Sequence, residues 1–456
     1  MSEFSGIIKK EARQLLQLAL PLMGAQLFQM GMNITDVIMT GRYSSVDLAG
    51  VALGSSVMWP VLILMMGVIQ AVTPTVAQLN GAKNYTEIGE VIRQGLWVAF
   101  LGGLLGSLVL FNVAPLYRLA DVDPASAIVS IEYLSMTACG FPAVACFFCL
   151  RYLCDGTGFT RAALLIAATA LALKIPLNYV LIYGHFSLPE LGGVGCGVAH
   201  AILMWMQLLL ILFVVTRKRF DDTNWMGKFS WPEWSRIKSL LIIGFPIGLT
   251  LFAEVGIFSL TTLLLGRYCA EVVASHNIAM SIAGFMFMLP LALGHGSTIR
   301  IGFRVGAGEI KGAGTTAGIT LSMTVLFAIV GALFVLMFRE PLVGIFTTDP
   351  AVRKLSAVLV LFVVFFMTFD AAQTSAIGCL RGFKDTRVPM MIALFSYWVV
   401  GLPLQCTLGF GWVGEPMGVY GFWIGLSACL GVAAVLLCFR LWYVYGNESL
   451  IRSLSG

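Results

Sequence analysis

Residues 14–38 read QLLQLALPLMGAQLFQMGMNITDVI, a run of 25 residues in which Asp36 is the one charged member. About 20 predominantly apolar residues form a helix long enough to cross the ~30 Å hydrocarbon layer of a bilayer. A helix pairs its backbone polar groups internally, as lipid requires, and the run lacks the polar–apolar alternation of membrane β-strands. The stretch therefore predicts a membrane-spanning α-helix.

Eleven similar runs follow along the 456-residue chain. Hydrophobic residues make up 59% of the sequence and charged residues 11%, whereas about 25% of the residues in an ordinary soluble domain are charged. We therefore predict an all-α integral membrane protein with twelve transmembrane helices. The predicted spans are 14–38, 51–76, 92–114, 129–151, 162–183, 194–216, 239–263, 276–299, 314–338, 355–378, 388–410 and 418–442.

The second half of the sequence repeats the first. A shift of 225 residues places Pro21 on Pro246 and the tripeptide Gly41-Arg42-Tyr43 on Gly266-Arg267-Tyr268 without a gap. With six spans in each half, the two halves have the same topology and should be related by a pseudo-two-fold axis along the membrane normal, a repeat type known among transporters. The predicted parts are an N-terminal six-helix lobe (1–216), a cytoplasmic linker (217–238) and a C-terminal six-helix lobe (239–456).

The basic residues predict the orientation. Of the 28 lysines and arginines, 21 lie in the N-terminal segment, the even-numbered loops and the C-terminal segment, 6 lie in the odd-numbered loops, and Lys174 lies within a span. By the positive-inside rule both termini should be cytoplasmic. The net charge of +5 therefore reflects membrane topology and does not indicate a nucleic-acid partner.

Three acidic residues lie within predicted spans: Asp36, Glu254 and Asp370. A charge near the bilayer centre is costly, so such residues usually serve function; the alternative is a carboxylate that reaches the interface or caps a loop. Desolvation favours a neutralised carboxyl group, and a proton, Na⁺ or an organic cation can each supply the neutralising charge. We predict that these acids couple ion binding to transport, with Glu254 and Asp370 as the candidate Na⁺ site.

Lys174 is the one basic residue deep in a span, and Asn178 follows one helical turn later. Lys174 either pairs with an acid simply to stabilise its span, or lies near Asp36 and sets the charge of that carboxyl group. Asn178 could add an amide oxygen on the same face. Both remain candidates for a supporting role in the first lobe.

Aromatic and methionine side chains are plentiful and could line a cavity for apolar cations. Phe366, Phe285 and Met288 are the candidates, although most such residues pack between helices or face lipid. The ten cysteines show no zinc-ligand spacing and are interpreted as free thiols, so no cofactor is expected. No catalytic cluster is recognised, which argues against a membrane enzyme or a receptor.

Several motifs resemble those of the multidrug and toxin extrusion (MATE) family, and of its bacterial NorM branch. These motifs are Thr35-Asp36, the stretch VAQLNGA at 76–82, the stretch PELGGVGCGVA at 189–199, and LRGFKD at 380–385. The resemblance covers essentially the whole chain. It implies two lobes that alternate between outward-open and inward-open states and export cationic drugs and dyes in exchange for Na⁺ or H⁺.

The resemblance also implies roles for particular residues. Glu254 and Asp370 would match the cation site of the second lobe, and Asp36 the acid of the first lobe, with Asn178 beside it. Phe366 stands where some relatives have tyrosine, and Lys174 where some have asparagine, so a first-lobe Na⁺ site is in doubt.

The expected setting is the bacterial inner membrane. The expected partners are lipid and small cationic organic substrates, with the protein acting as a monomer. The alternative function is a lipid-linked oligosaccharide flippase of the same superfamily, which would need a strongly cationic cavity.

Overall fold

The regular structure is helical throughout residues 2–119, 123–185 and 189–455, which are the residues described by a computed structural model. Besides the α-helices, a short 3₁₀-helix covers Lys218–Thr223 and a π-helical turn covers Phe395–Gly401. The α-helices are α1 (Ser2–Tyr43), α2 (Ser45–Ile69), α3 (Val72–Gly81), α4 (Tyr85–Phe111), α5 (Ala114–Leu119), α6 (Pro124–Ala138), α7 (Phe141–Gly156), α8 (Arg161–Tyr183), α9 (Gly193–Val215), α10 (Trp234–Leu265), α11 (Ala270–Gly306), α12 (Ile310–Phe346), α13 (Pro350–Gly382), α14 (Arg387–Leu394), α15 (Leu402–Phe410), α16 (Val419–Tyr445) and α17 (Glu448–Ser455).

The predicted twelve spans are confirmed. In the described residues, 11 helical segments are long and apolar enough to cross a membrane, and the number is twelve when α6 and α7, a pair bent by 50°, are counted as one span. Pro142 stands in the first turn of α7, where its missing N–H is tolerated. Gly140 lies at the break, and a Cβ atom there would lie 3.0 Å from the Cα of Ala201, so the bend also lets α9 approach closely.

Packing divides the chain into two compact units. The first unit is Gly24–Gly248; the second consists of the chain up to Met23 together with Leu249 onward. The lobe boundaries predicted from sequence lie in the linker, whereas packing places them within α1 and α10. Each boundary follows a proline by two residues, at Pro21 and Pro246, where the ring removes a helix hydrogen bond and permits a change of direction.

Buried polar contacts explain why the start of α1 belongs to the second unit. The Glu11 carboxylate accepts hydrogen bonds from Nη2 of Arg300 at 2.8 Å and from Oγ1 of Thr316 at 3.1 Å, and it also pairs with Arg304. The side chain of Glu11 is only 3% exposed. The start of α10 is held in the first unit in a comparable way, because Gln94 accepts from the backbone N–H of Glu233 at 2.8 Å.

The repeat extends to backbone conformation. Lys83 (φ 56°) corresponds to Gly308 (φ 76°) at a shift of 225, and Lys384 (φ 61°) corresponds to Gly158 (φ 77°) at a shift of 226. All four residues follow helices and adopt the left-handed conformation that glycine adopts freely and other residues adopt at a cost. The turn is therefore part of the duplicated scaffold, and two of its four copies carry lysine.

In the second unit, the helix that carries Asp370 is packed by close backbone contact. A Cβ atom at Gly378 of α13 would lie 2.3 Å from the carbonyl oxygen of Gly294 on α11. Oγ1 of Thr298 donates to the carbonyl of Gly378 at 2.7 Å. Small residues and interhelical hydrogen bonds of this kind are the usual means of helix association in membranes.

Candidate functional site

The first-unit site is built around Asp36 of α1. Nζ of Lys174 lies 2.8 Å from Oδ2 of Asp36, and Nδ2 of Asn178 donates to Oδ1 at 2.8 Å. Lys174 and Asn178 are one turn apart on α8, and all three side chains are buried. The structure therefore places together the three residues that the sequence suggested for this lobe, and each oxygen of the carboxylate receives a hydrogen bond.

Two further residues complete this cluster and were not selected from the sequence. Nε2 of His200 on α9 lies 3.1 Å from Nζ of Lys174. Because an ammonium group can only donate, Nε2 accepts and His200 is neutral with its proton on Nδ1. That proton points to the hydroxyl of Tyr133 on α6, 3.4 Å away, and the hydroxyl in turn donates to Sδ of Met58 at 3.8 Å.

The second-unit site contains Glu254 of α10 and Asp370 of α13, which interact electrostatically. Asp370 is buried, with an exposure of 5%, and Glu254 is partly buried. Within the described part of the chain, Oδ1 of Asp370 has no hydrogen-bond partner. Arg381 of α13 is the positive charge that acts on Glu254. The predicted pair thus lies in one interior region and, unlike Asp36, has an oxygen free to take a ligand.

Two more buried polar side chains belong to the same unit. The hydroxyl of Tyr397 interacts with the side chain of Gln373, and neither group has another hydrogen-bond partner among the described residues. Tyr397 interacts electrostatically with both Glu254 and Asp370. Buried polar groups without partners are uncommon in proteins and often mark a site for water or an ion.

The π-helical turn Phe395–Gly401 brings Tyr397 into this region. Such turns are rare and frequently occur at functional sites. A sequence signal for it exists: Arg161 matches Arg387 at a shift of 226, but Pro176 matches Pro403 at a shift of 227. The second half therefore has one extra residue between these points, and an i→i+5 turn accommodates one residue more than an α-helical turn.

The repeat also relates the polar contacts of the two units. Asp36 corresponds to Thr261 at a shift of 225, and Asn178 corresponds to Gln405 at a shift of 227. Oγ1 of Thr261 donates to Oε1 of Gln405 at 2.6 Å. A polar bridge is therefore present at the equivalent place in the second unit, but it carries no charge.

The aromatic candidates occupy different environments. Phe366 is 3% exposed, and its ring packs against Phe258 and Trp423 with centroid distances of 5.8 and 5.7 Å. Phe285 is 55% exposed and Met288 is partly buried. Phe366 thus belongs to an interior aromatic cluster, whereas Phe285 presents its ring at the surface of its unit.

No site for a transition metal is found in the described ranges, where no three His, Cys, Asp or Glu side chains come together. The ten cysteines are free thiols, as the spacing predicted. The candidate sites are therefore two interior carboxylate clusters. In the first, Asp36 is paired with the ammonium of Lys174; in the second, Oδ1 of Asp370 has no hydrogen-bond partner among the described residues.

Comparison with known proteins agrees with this architecture. A model of the MatE family matches residues 21–180 and 246–407, two segments whose starts differ by the repeat shift of 225. The multidrug resistance protein PmpM of Pseudomonas aeruginosa is 41% identical over 437 residues, which cover 95% of this chain and 92% of PmpM. The multidrug resistance protein MdtK of Yersinia pseudotuberculosis is 38% identical, covering 94% and 95% of the two chains.

Solved structures show the same fold. The crystal structure of the eukaryotic MATE transporter AtDTX14 superposes with a TM-score of 0.89, at 19% sequence identity, over 98% of this chain and 99% of that one. The fold and buried sites define the class: a polytopic all-helical membrane protein with a duplicated six-span scaffold. The chain belongs to the MatE family, as its resemblance to MATE proteins predicted.

Proposed function

We propose that the protein is a multidrug antiporter of the bacterial inner membrane, which exports cationic drugs and dyes in exchange for H⁺ or Na⁺. Two relatives of high coverage carry the name multidrug resistance protein. The distribution of basic residues supports cytoplasmic termini, and the proposal includes a monomer that works in lipid, binds no nucleic acid and catalyses no chemical reaction.

The observation that carries the coupling proposal is the free oxygen of Asp370 beside Glu254. A proton bound there would neutralise the pair. A Na⁺ ion would use oxygen ligands. The hydroxyl of Tyr397 and the amide oxygen of Gln373 are further oxygens in this unit, and among the described residues they have no partners beyond each other's side chains. Occupancy then changes the charge of the buried region, and a ligand that binds one conformational state better shifts the equilibrium toward that state.

Competition between the coupling ion and an organic cation for these carboxylates would link their binding, because linkage acts reciprocally on the two affinities. An inward ion gradient would then drive export of the organic cation. The flippase alternative needs a strongly cationic cavity, and here the ammonium of Lys174 is buried and paired with Asp36. The buried carboxylates of the second unit therefore favour cationic substrates.

The test is efflux of a fluorescent cationic dye from proteoliposomes under an imposed Na⁺ gradient or an imposed pH gradient, one at a time. Asp370→Asn and Glu254→Gln should each abolish gradient-driven efflux. Asp349→Asn is the matched control, because Asp349 lies on the same helix as its exposed N-cap and asparagine caps equally well. Gradient-driven efflux that persists unchanged in a folded Asp370→Asn protein would remove Asp370 from the mechanism.

A further inference from the structure

The two buried carboxylate sites differ in whether a cation is already present. Asp36 is paired with the ammonium of Lys174 at 2.8 Å, and Lys174 is 0% exposed. In the second unit, the residue that corresponds to Lys174 at a shift of 227 is the uncharged Gly401. The hydrogen bond between Thr261 and Gln405, which corresponds to the contact between Asp36 and Asn178, also carries no charge. The first unit thus has its own counter-charge for its acid, and the second unit has an acid whose Oδ1 lacks a partner.

Neighbouring helices hold the ammonium in place. From α9, Nε2 of His200 accepts from Nζ at 3.1 Å, and from α6 the hydroxyl of Tyr133 holds the other side of that ring. Cys196 of α9 bonds to Thr40 at 3.2 Å and brings no formal charge. Asp36 is the one carboxylate within ion-pair distance of Lys174 among the described residues. The cluster therefore carries one positive and one negative charge and is balanced without any bound ion.

A mobile Na⁺ would have to displace this ammonium from Asp36. The displaced ammonium would stay buried beside the ion, because its side chain is fully enclosed, and an unpaired buried charge is strongly unfavourable. One carboxylate would also face two positive charges. Substitution of the ammonium by Na⁺ is therefore opposed both by desolvation and by repulsion.

We propose that Lys174 is a tethered cation that fills the cation position of Asp36, so the first unit does not bind Na⁺ and Lys174 determines which ions this site accepts. It follows that any Na⁺ coupling would be confined to the region of Glu254 and Asp370, and this consequence rests on the proposed function. The exclusion of Na⁺ from Asp36 is independent of the proposed function.

The site left by removing the ammonium would suit Na⁺. Oδ2 of Asp36 would lose its ion-pair partner, and Oδ1 of Asn178 already has no hydrogen-bond partner within the described residues. In Lys174→Gln, the new amide oxygen would be a third oxygen at the same place. Hard cations prefer ligand sets of this kind, made of carboxylate and amide oxygens.

The experiment measures Na⁺ binding to purified protein in detergent, with choline replacing Na⁺ at constant ionic strength. All variants are made in an E254Q/D370N background, which removes the carboxylates of the second unit. The background protein should bind no Na⁺. Adding Lys174→Gln should create saturable binding of one Na⁺ per protein, and Na⁺ should raise the unfolding temperature of this variant alone.

Two matched controls separate charge from packing. Lys174→Arg keeps a cation beside Asp36 and should bind no Na⁺. The pair Asp36→Asn with Lys174→Gln removes both charges, so it should fold without Na⁺ and remain indifferent to it. A Lys174→Gln protein that is unstable in both salts while this neutral pair is stable would overturn the proposal, because Na⁺ then fails to replace the ammonium. The proposal would also be overturned if Lys174→Gln were equally stable in Na⁺ and in choline and bound no Na⁺, because removal of the ammonium would then create no Na⁺ site.

One arm needs no substitution of Lys174. If the E254Q/D370N protein binds Na⁺ and Asp36→Asn abolishes that binding, the ammonium does not exclude Na⁺ and the proposal is wrong. Because all readouts are binding and stability, failure of gradient-driven efflux in the transport assay would refute the proposed function while leaving these results intact.

Discussion

Replacing Lys384 by glycine should stabilise the protein, and the gain should depend on pH. Lys384 lies between α13 and α14 with φ 61°, and its counterpart in the repeat is Gly158 with φ 77°. A left-handed conformation costs an ordinary residue about 1–2 kcal/mol, and the greater freedom of glycine in the unfolded chain offsets part of that gain. The backbone contribution of Lys384→Gly is therefore about 1 kcal/mol in favour of the variant.

A second contribution comes from charge. Burial lowers the pKa of Lys384 from 10.5 to about 8. At about 1.4 kcal/mol per pKa unit, the buried ammonium costs the folded state about 3 kcal/mol as an upper limit. Below about pH 8 the lysine is protonated in both states and the whole cost is present. Between about 8 and 10.5 the folded protein loses its proton first, so the stability of the unmodified protein rises with pH and the advantage of the variant shrinks.

Lys83→Gly is the matched control. Lys83 adopts the same conformation, with φ 56°, but its side chain is exposed, so only the backbone contribution of about 1 kcal/mol should appear. Denaturant unfolding in mixed micelles at several pH values measures both differences. An advantage of Lys384→Gly that stays constant from neutral to strongly alkaline pH, or one that shrinks equally in Lys83→Gly, would refute the reasoning.

Three further predictions test the packing and the site. Glu11→Gln should lower the free energy of unfolding by about 1–3 kcal/mol, because it removes the buried carboxylate that pairs with the partly buried Arg300 and Arg304. The control is Glu448→Gln at an exposed pair, which should lower it by under about 1 kcal/mol; equal losses in the same unfolding assay would contradict the role of burial. Gly378→Ala should lower the free energy of unfolding by about 1–3 kcal/mol, because the added methyl group overpacks against Gly294. The control Gly318→Ala, on an exposed helix surface, should leave that free energy unchanged or raise it slightly; similar unfolding curves for the two variants would show that α11 and α13 are not in tight contact. Tyr397→Phe should lower the free energy of unfolding by no more than about 1 kcal/mol, because among the described residues the hydroxyl interacts only with the side chain of Gln373, while it weakens ion-dependent dye efflux at limiting ion concentration; unaltered ion dependence would exclude the hydroxyl from the cation site.

Much of the fold could be predicted because each span is decided by local composition. A run such as 14–38 meets the length and hydropathy requirement of the bilayer by itself, without knowledge of its neighbours. The pairing of Lys174 with Asp36 was also within reach, because a lone buried ammonium must find a carboxylate. Its neighbour His200 was not, because a neutral histidine satisfies its hydrogen bonds equally well in many places and leaves no periodic signal.

The boundaries of the two packing units differ from the lobe boundaries predicted from the sequence. Sequence placed them in the polar linker, where composition changes, but packing places them after Pro21 and Pro246. What decides the assignment of the start of α1 is the contact of Glu11 with Arg300 and Arg304, almost 300 positions away in the chain. Contacts at such separation carry no local pattern. The π-helical turn at Phe395–Gly401 is the opposite case, since the offset of the repeat increases by one residue across it.

The duplicated scaffold and the distribution of charge point to a division of roles. Asp36 matches the neutral Thr261, and Glu254 matches the amide Gln29 at a shift of 225, so ionisable groups were not kept in duplicate. A symmetric pair of free carboxylates would give two equivalent binding sites. Here one unit neutralises its acid with Lys174, and the other has an acid whose oxygen lacks a partner. A ligand that binds one conformational state better than the other biases the equilibrium between them. Under the proposed coupling, an ion gradient would therefore act on the second unit, whose acid has an oxygen without a partner among the described residues, while the first unit holds an internal ion pair.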